Sequence, residues 1–325
     1  MTINFNNVYI KDYFNIAGPF EKKGPLGKGY NTTTNDFYFG ELTFEKSESK
    51  MIKYVVENIV NRNQLSITDL DCIIGGDLLN QLSAHHCALR NNGVPFIGLY
   101  SACSISAHAM INAGILIEHN YATKIVTTTS SHNLAAEKQF RYPNEYGGPK
   151  PKVTTFTSTG AVAFLLTNQP SDIKVLSGTI GSIIDMNVKD AFNMGAAMAP
   201  AAADTLALHL ENTNTKISDY DLIITGDLGR VGKNIFKDYY KKVYKRALKN
   251  YDDAATMIYN YKKQDIYAGG SGCACLPLVL TAKILKEKKY KKILFIATGS
   301  LHSQTMVLQK ESIPAIAYAV SLEVK

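Results

Sequence analysis

The sequence predicts an α/β fold made of two similar halves, and three observations carry that prediction. The first is a duplication: Asp69-Leu-Asp-Cys-Ile-Ile-Gly-Gly-Asp77-Leu78 returns as Asp219-Tyr-Asp-Leu-Ile-Ile-Thr-Gly-Asp227-Leu228, 150 residues later. The second is a set of further matches in the same order, Ser101-Ala-Cys103 with Ser271-Gly-Cys273 and His132 with His302, each 170 residues apart. The third is the alternation of short apolar runs with helix-length patterns, which is how parallel strands and their crossover helices read. The period is far too long for a solenoid. Two halves packed as a pseudo-dimer are expected, spanning 1–170 and 171–325, with no Pro-, Gly- or Ser-rich linker between them.

Each element follows from its local pattern. Cys72 to Gly75 and Leu222 to Thr225 are short apolar runs ending near Gly, as buried parallel strands do. Pro95 to Tyr100 is a third such run and leads into Cys103. From Ser104 to Glu118, the spacing of Ile105, Met110, Ile111, Ile115 and Leu116 predicts a helix with Ser104 near its cap. Lys124 to Thr129 reads as a β-branched strand, and the second half repeats the pair with a helix over 276–286 and a strand over 293–298. The segment 130–148 holds many polar and aromatic residues, a Pro and a Gly pair, and is expected to be loop or short helix. Asn193 to Asp204 is small and apolar, suited to close packing or a subunit interface.

Composition narrows the class. Of 325 residues, 46% are hydrophobic and 19% charged, which rules out wholesale disorder. No apolar run approaches the roughly 18 residues of a membrane-spanning helix. The start, MTINFNNVYIKDYFN, lacks the basic flank and apolar stretch of a signal peptide. The five cysteines are therefore expected to be thiols. Of the net charge of +7, an excess of +11 lies between Arg230 and Lys292 (16 Lys/Arg less 5 Asp/Glu). The clusters are Lys237, Lys241, Lys242, Lys245, Arg246, Lys249 and then Lys286, Lys288, Lys289, Lys291, Lys292. They suit an anionic membrane surface or simply a solvated helix face; no nucleic-acid motif accompanies them, so no nucleic-acid partner is expected.

The residues able to carry chemistry cluster at the expected strand ends. Cys103 lies between a strand and a helix start, where the dipole and free N–H groups favour a thiolate and bind anions. Asp77 and Asp227 end equivalent strands and can serve as bases, bind a cation or cap the next helix. His132 and His302 can be hydrogen-bonded structural residues or site residues. Arg141 offers a two-pronged contact to a carboxylate, and Lys138 adds charge, although both also suit ordinary ion pairs. Cys72 is expected to pack at its strand, and the adjacent His85 and His86 to lie at a helix surface. Cys273-x-Cys275 lacks a second ligand pair, so no metal site is expected.

These residues carry a resemblance. Two α/β halves with a Cys at a strand–helix junction are similar to the thiolase and ketoacyl-synthase superfamily. More closely, the chain resembles the stage V sporulation protein AD family. The strings that carry this are Gly76-Asp-Leu-Leu-Asn80-Gln81, Gly98-Leu-Tyr-Ser-Ala-Cys103-Ser104, Thr129-Ser-Ser-His132-Asn133, Ala136-Glu-Lys-Gln-Phe-Arg-Tyr-Pro143, Thr225-Gly-Asp-Leu-Gly-Arg-Val-Gly232 and Ala268-Gly-Gly-Ser-Gly-Cys273. The resemblance implies a thiolase-like α-β-α-β-α layered fold and usually a homodimer. It further implies a protein that binds pyridine-2,6-dicarboxylate (dipicolinic acid). Such a protein works with other stage V A sporulation membrane proteins, peripherally on the cytoplasmic face of the forespore inner membrane, to move that compound with calcium. For such a ligand, a flat ring with two carboxylates, the expected site residues are Cys103, Ser104, Asp77, Asn80, His132, Lys138, Arg141, Asp227 and His302, with no cofactor except calcium accompanying the ligand. Condensing enzymes of this fold pair the Cys with a His and an Asn; laid on this sequence, those positions hold Gly226 and Gly270. A non-condensing scaffold is therefore expected, the alternative being an acyltransferase that uses Cys103 as a thioester nucleophile.

Overall fold

The computed structural model describes residues 1–140 and 150–325. In chain order the main elements of the first half are β1 (Tyr9–Ala17), α1 (Phe44–Arg62), β2 (Cys72–Gly76), α2 (Ser83–Leu89), β3 (Phe96–Gly98), α3 (Ile105–Glu118), β4 (Lys124–Ser131), α4 (Asn133–Phe140) and β5 (Gly160–Thr167). The second half follows with β6 (Ile173–Ile180), α5 (Met194–Asn212), β7 (Leu222–Thr225), α6 (Gly229–Tyr244), β8 (Tyr251–Asp253), α7 (Cys275–Val279), β9 (Lys292–Ser300) and β10 (Ala315–Val324). The helix expected over 276–286 is α7 continued by a π turn at Leu280–Ile284.

The strands join in one mixed sheet ordered β3-β2-β4-β5-β1-β6-β10-β9-β7-β8. Read outward from the middle, each half has the same arrangement, and the pairing senses match. β2 runs parallel to β3 and β4, as β7 does to β8 and β9. β4–β5 and β5–β1 are antiparallel, as are β9–β10 and β10–β6. The duplication seen in the sequence is thus a duplication of topology.

Burial separates the layers. Neighbouring strand residues point to opposite faces, so Ile73 joins a core with α1 while Ile74 joins one with α3. In the second half Leu294 packs with α5 and Phe295 with the central helices. This gives five layers, helix–sheet–helix–sheet–helix. Their different environments explain the different helices. α1 buries one stripe, Met51, Ile52, Val55, Val56, Ile59 and Val60, as a surface helix must. α3 sits between the two sheet halves and is apolar nearly all round, with Ile105, Ala107, Ala109, Met110, Ile111, Ala113 and Ile117 buried. A Cβ on its Gly114 would stand 2.7 Å from the Phe5 ring, so the close approach needs glycine there.

Of the two uses expected for the small apolar segment 193–203, close packing is the one seen: it forms the first turns of α5, and Ala197 through Ala203 are buried against the chain's own strands and α6. One sequence expectation changes. His85 is not at a surface: it is fully buried, whereas its neighbour His86 is exposed. A helix turns its successive residues by about 100°, so adjacent residues can lie on opposite sides.

Candidate functional site

The site is built where the two cysteine turns meet. After β3 the chain makes one tight turn, Ala102–Ser104, before α3 begins at Ile105. Ala102 takes φ +52°, an uncommon left-handed conformation that turns Cys103 inward. The equivalent turn in the second half has Gly272 at φ +97°, just before Cys273 and α7. Here glycine is required, because a Cβ would lie 2.7 Å from Ser131 Oγ. The turns touch across the pseudo-symmetry: the Cys273 thiol donates to the Ala102 carbonyl at 3.2 Å. Around them Leu78, Ile105 and Ala136 close an apolar group, with Leu99 and Phe140 at its margin.

The electrostatics of this centre oppose a thiolate. Burial raises the Cys103 thiol well above its ordinary range; the nearby Asp227 adds to the rise, and the Gly272 N–H offsets part of it. Burial thus favours the thiol here, against the thiolate that the helix start alone would favour. Asp227 itself is fully buried at φ +71°. Burial, then repulsion from Asp253, drive its carboxyl well above the usual carboxylate range, with the Cys275 thiol and Gly272 N–H offsetting part of that. Neither of its oxygens makes a hydrogen bond of ordinary geometry among the described residues.

The other expected residues divide. Ser104 is buried and donates to the Ser101 carbonyl at 2.6 Å, which locks the turn. Asp77 accepts from the Leu79 N–H at 2.9 Å, the His85 N–H at 2.9 Å and His85 Nδ1 at 2.8 Å, all structural contacts. His132 lies against the Phe44 ring at 5.4 Å, and its Nε2 donates to the Phe37 carbonyl at 2.8 Å. Burial lowers its pKa to about 4, so the ring is neutral. Lys138 reaches Glu45 of α1 at 2.6 Å. Asn80 is exposed, and its backbone N–H donates to Gln139 Oε1 at 2.8 Å. His302 is half-buried with its ring 5.8 Å from Phe140, which places it near the margin of the Cys103 group. Arg141 lies outside the described residues. The structure therefore gathers Cys103 and Asp227 at the centre and Phe140 with His302 beside it.

Three buried acids escaped the sequence reading. Glu48 of α1 accepts from Ser130 Oγ at 2.8 Å, and burial and then Asp77 raise its pKa well above normal. Its place on the apolar stripe ahead of Met51, Ile52 and Val55 was the signal available. Glu21 accepts from Tyr259 and from the Thr159 N–H, and burial pushes it up to about 7. Asp253 accepts from Thr225 Oγ1 at 2.7 Å and Gly229 N–H at 3.0 Å at the start of α6, and burial raises it to about 7 as well. Two open cavities also mark the surface. One of about 580 Å³ is lined by Lys11, Arg62, Asp172 and Lys288; the other, about 610 Å³, by Lys152, Arg230, Asn234 and Tyr267. Neither includes Cys103.

The positions opposite the cysteines are closed by the chain itself. A Cβ on Gly226 would come within 2.8 Å of Leu276 Cβ. One on Gly270 would lie 2.7 Å from Ile258 Cγ2 and 3.0 Å from Cys275 Sγ. There is no room for a histidine and an asparagine without repacking. The sequence profile of stage V sporulation protein AD matches residues 1–323. The chain belongs to that family. It is 40% identical over 319 residues to stage V sporulation protein AD of Bacillus subtilis (strain 168), covering 97% of this chain and 94% of that protein. Among solved structures it resembles OleA of Xanthomonas campestris (TM-score 0.65, 13% identity, 99% and 98% of the two chains). It also resembles 3-oxoacyl-[acyl-carrier-protein] synthase III of Aquifex aeolicus VF5 (TM-score 0.56, 14% identity, 99% of each). At those identities the likeness is one of fold: the family member has a thiolase-like scaffold. As a member of the family the chain is a sporulation protein.

Proposed function

We propose that the chain is a non-catalytic binding protein for pyridine-2,6-dicarboxylate, held in the region where condensing enzymes of this fold do chemistry. The observation that supports this best is the filling of that centre. Gly226 and Gly270 face Leu276, Ile258 and Cys275 at distances that exclude larger side chains, and Cys103 is buried as a thiol. Carbonyl-polarising donors contribute about 3 kcal/mol each to acyl transfer, and here their places are taken by apolar packing. Around Cys103 stand Leu78, Leu99, Ile105, Ala136 and Phe140, an apolar group against which a flat aromatic ring would lie. Buried polar groups stand beside it to meet carboxylates.

The ligand set is centred on Cys103 and Asp227 with His302 near them, and is completed by Ser104, Asp77, Asn80, His132, Lys138 and Arg141, the last outside the described residues. The chain works peripherally at the cytoplasmic face of the forespore inner membrane, with the other stage V A sporulation membrane proteins, in moving dipicolinate accompanied by calcium. In keeping with a peripheral role, no helix among the described residues is long and apolar enough to cross a membrane. A homodimer through the exposed edge strand β3 would extend the sheet across two copies.

Calorimetric titration with dipicolinate, with and without calcium, tests the reading. Saturable binding that Arg141→Ala or Cys103→Ala weakens is expected, with no acyl group trapped on Cys103 from any acyl thioester. No heat at millimolar ligand, or a stable acyl adduct on Cys103, would overturn it.

A further inference from the structure

The two Gly-Asp-Leu turns of the repeat have diverged. Asp77 uses its carboxylate to hold its own turn and His85. In the second half that work has passed to Asp253, which accepts from the Leu228 and Gly229 N–H groups at 3.3 and 3.0 Å. Asp227 is left fully buried, with neither oxygen in a hydrogen bond of ordinary geometry among the described residues and only the Cys275 thiol and the Gly272 N–H beside it as weak donors. An unpartnered buried carboxyl is costly to keep. Its surroundings are the centre of the site: Cys103 ahead of α3, Gly272, Cys273 and Cys275 around the start of α7, and Asp253 ending β8. Every titratable group among these is an acid or a thiol, and none is a cation. Ser271 and Ser300, on segments that touch the two cysteine turns, also carry buried hydroxyls without partners.

We propose that Asp227 stands as a neutral carboxylic acid and donates its O–H to one carboxylate of the bound anion. The dicarboxylate is then recognised at this point by a proton and not by a cation. This inference rests on the reading that an aromatic dicarboxylate occupies the Cys103 centre. It removes the conflict between an acidic site and an acidic ligand without placing calcium between them. A carboxyl kept neutral by apolar surroundings so that it can donate is an established device in enzymes. Burial and the neighbouring Asp253 both favour the neutral form. Once the pH exceeds the pKa of Asp227 in the free protein, binding must draw a proton from solvent, so affinity falls as pH rises.

The test is a calcium-free calorimetric titration of the full chain with dipicolinate, from neutral to alkaline pH, for wild type, Asp227→Asn and Asp227→Ala. Asparagine keeps a donor in the same place and cannot ionise. It is expected to bind within a few-fold of wild type and to lose the alkaline decline. Alanine is expected to weaken binding roughly 10- to 150-fold, the value of a hydrogen bond to a charged group. An infrared difference spectrum between wild type and Asp227→Asn at neutral pH, with no ligand present, is expected to show the carbonyl stretch of a protonated acid. Equal binding by all three proteins would overturn this inference and leave the dicarboxylate reading standing. So would an ionised-carboxylate band, or calcium-dependent binding that Asp227→Asn abolishes. No binding by wild type would overturn both.

Discussion

Asp77 and Asp227 occupy the same place in a repeat and should respond to mutation in opposite ways. Removing the Asp77 carboxylate leaves His85 Nδ1 and two backbone N–H groups buried without partners. Asp77→Ala should therefore cost about 3 kcal/mol or more in urea unfolding. Asp227→Asn, which removes an unpartnered carboxyl, should be neutral or stabilising. Equal costs at the two positions would contradict the divergence described above. The same scale governs the thiols. Cys87 is exposed and Cys103 buried with a raised pKa, so an alkylating reagent followed by mass spectrometry should label Cys87 first. Cys103, a buried thiol, should label far more slowly; rapid labelling would mean an accessible thiolate.

At the scale of elements, the turns matter more than the helices they begin. Gly226 and Gly270 lie where a condensing enzyme needs side chains, and Leu276, Ile258 and Cys275 fill the space. The double variant Gly226→His, Gly270→Asn should lose about 1–3 kcal/mol by overpacking and acquire no acyl-transfer activity. A stable, active variant would show that the scaffold still accepts the reaction. The elements themselves were legible because their residues repeat. The Ile-Ile pairs at 73–74 and 223–224 marked β2 and β7, and the apolar run after Ser104 marked α3. What the sequence concealed was which member of each repeated pair kept a task. Asp77 and Asp227 read alike in one dimension, and only the arrival of Asp253 from β8 separates them. His85 was hidden for a related reason: its partner Asp77 lies eight residues back, across a turn, and no periodicity announces that contact.

At the scale of the whole molecule, the charge and the site occupy opposite ends of the strands. Lys291 and Lys292 begin β9, and the Lys237–Lys249 cluster runs from α6 towards the start of β8, while Asp227 follows the far end of β7. Binding to vesicles of anionic lipid should thus weaken with salt and with reversal of the Lys241, Lys242, Lys245 and Lys249 charges, independently of Asp227. The buried acids set a whole-molecule pH dependence. Glu21 and Asp253 titrate near 7 in the fold, against ordinary values of 4.5 and 3.8. The native state therefore holds these protons more tightly than the unfolded chain. Their contribution is fully present below about pH 4 and lost as pH rises through about 7. It is on the order of 3 kcal/mol for each acid. Glu21→Gln should flatten that decline in urea titrations across this window; an unchanged slope would place its proton elsewhere.

The most direct measurement is a crystal structure of the chain grown with dipicolinate. The account predicts the ring beside Cys103 and Phe140, with one carboxylate oxygen within hydrogen-bond distance of Asp227 and no metal between them. Ligand bound instead in the Lys152–Arg230 cavity, or a calcium ion bridging Asp227 to the ligand, would contradict it.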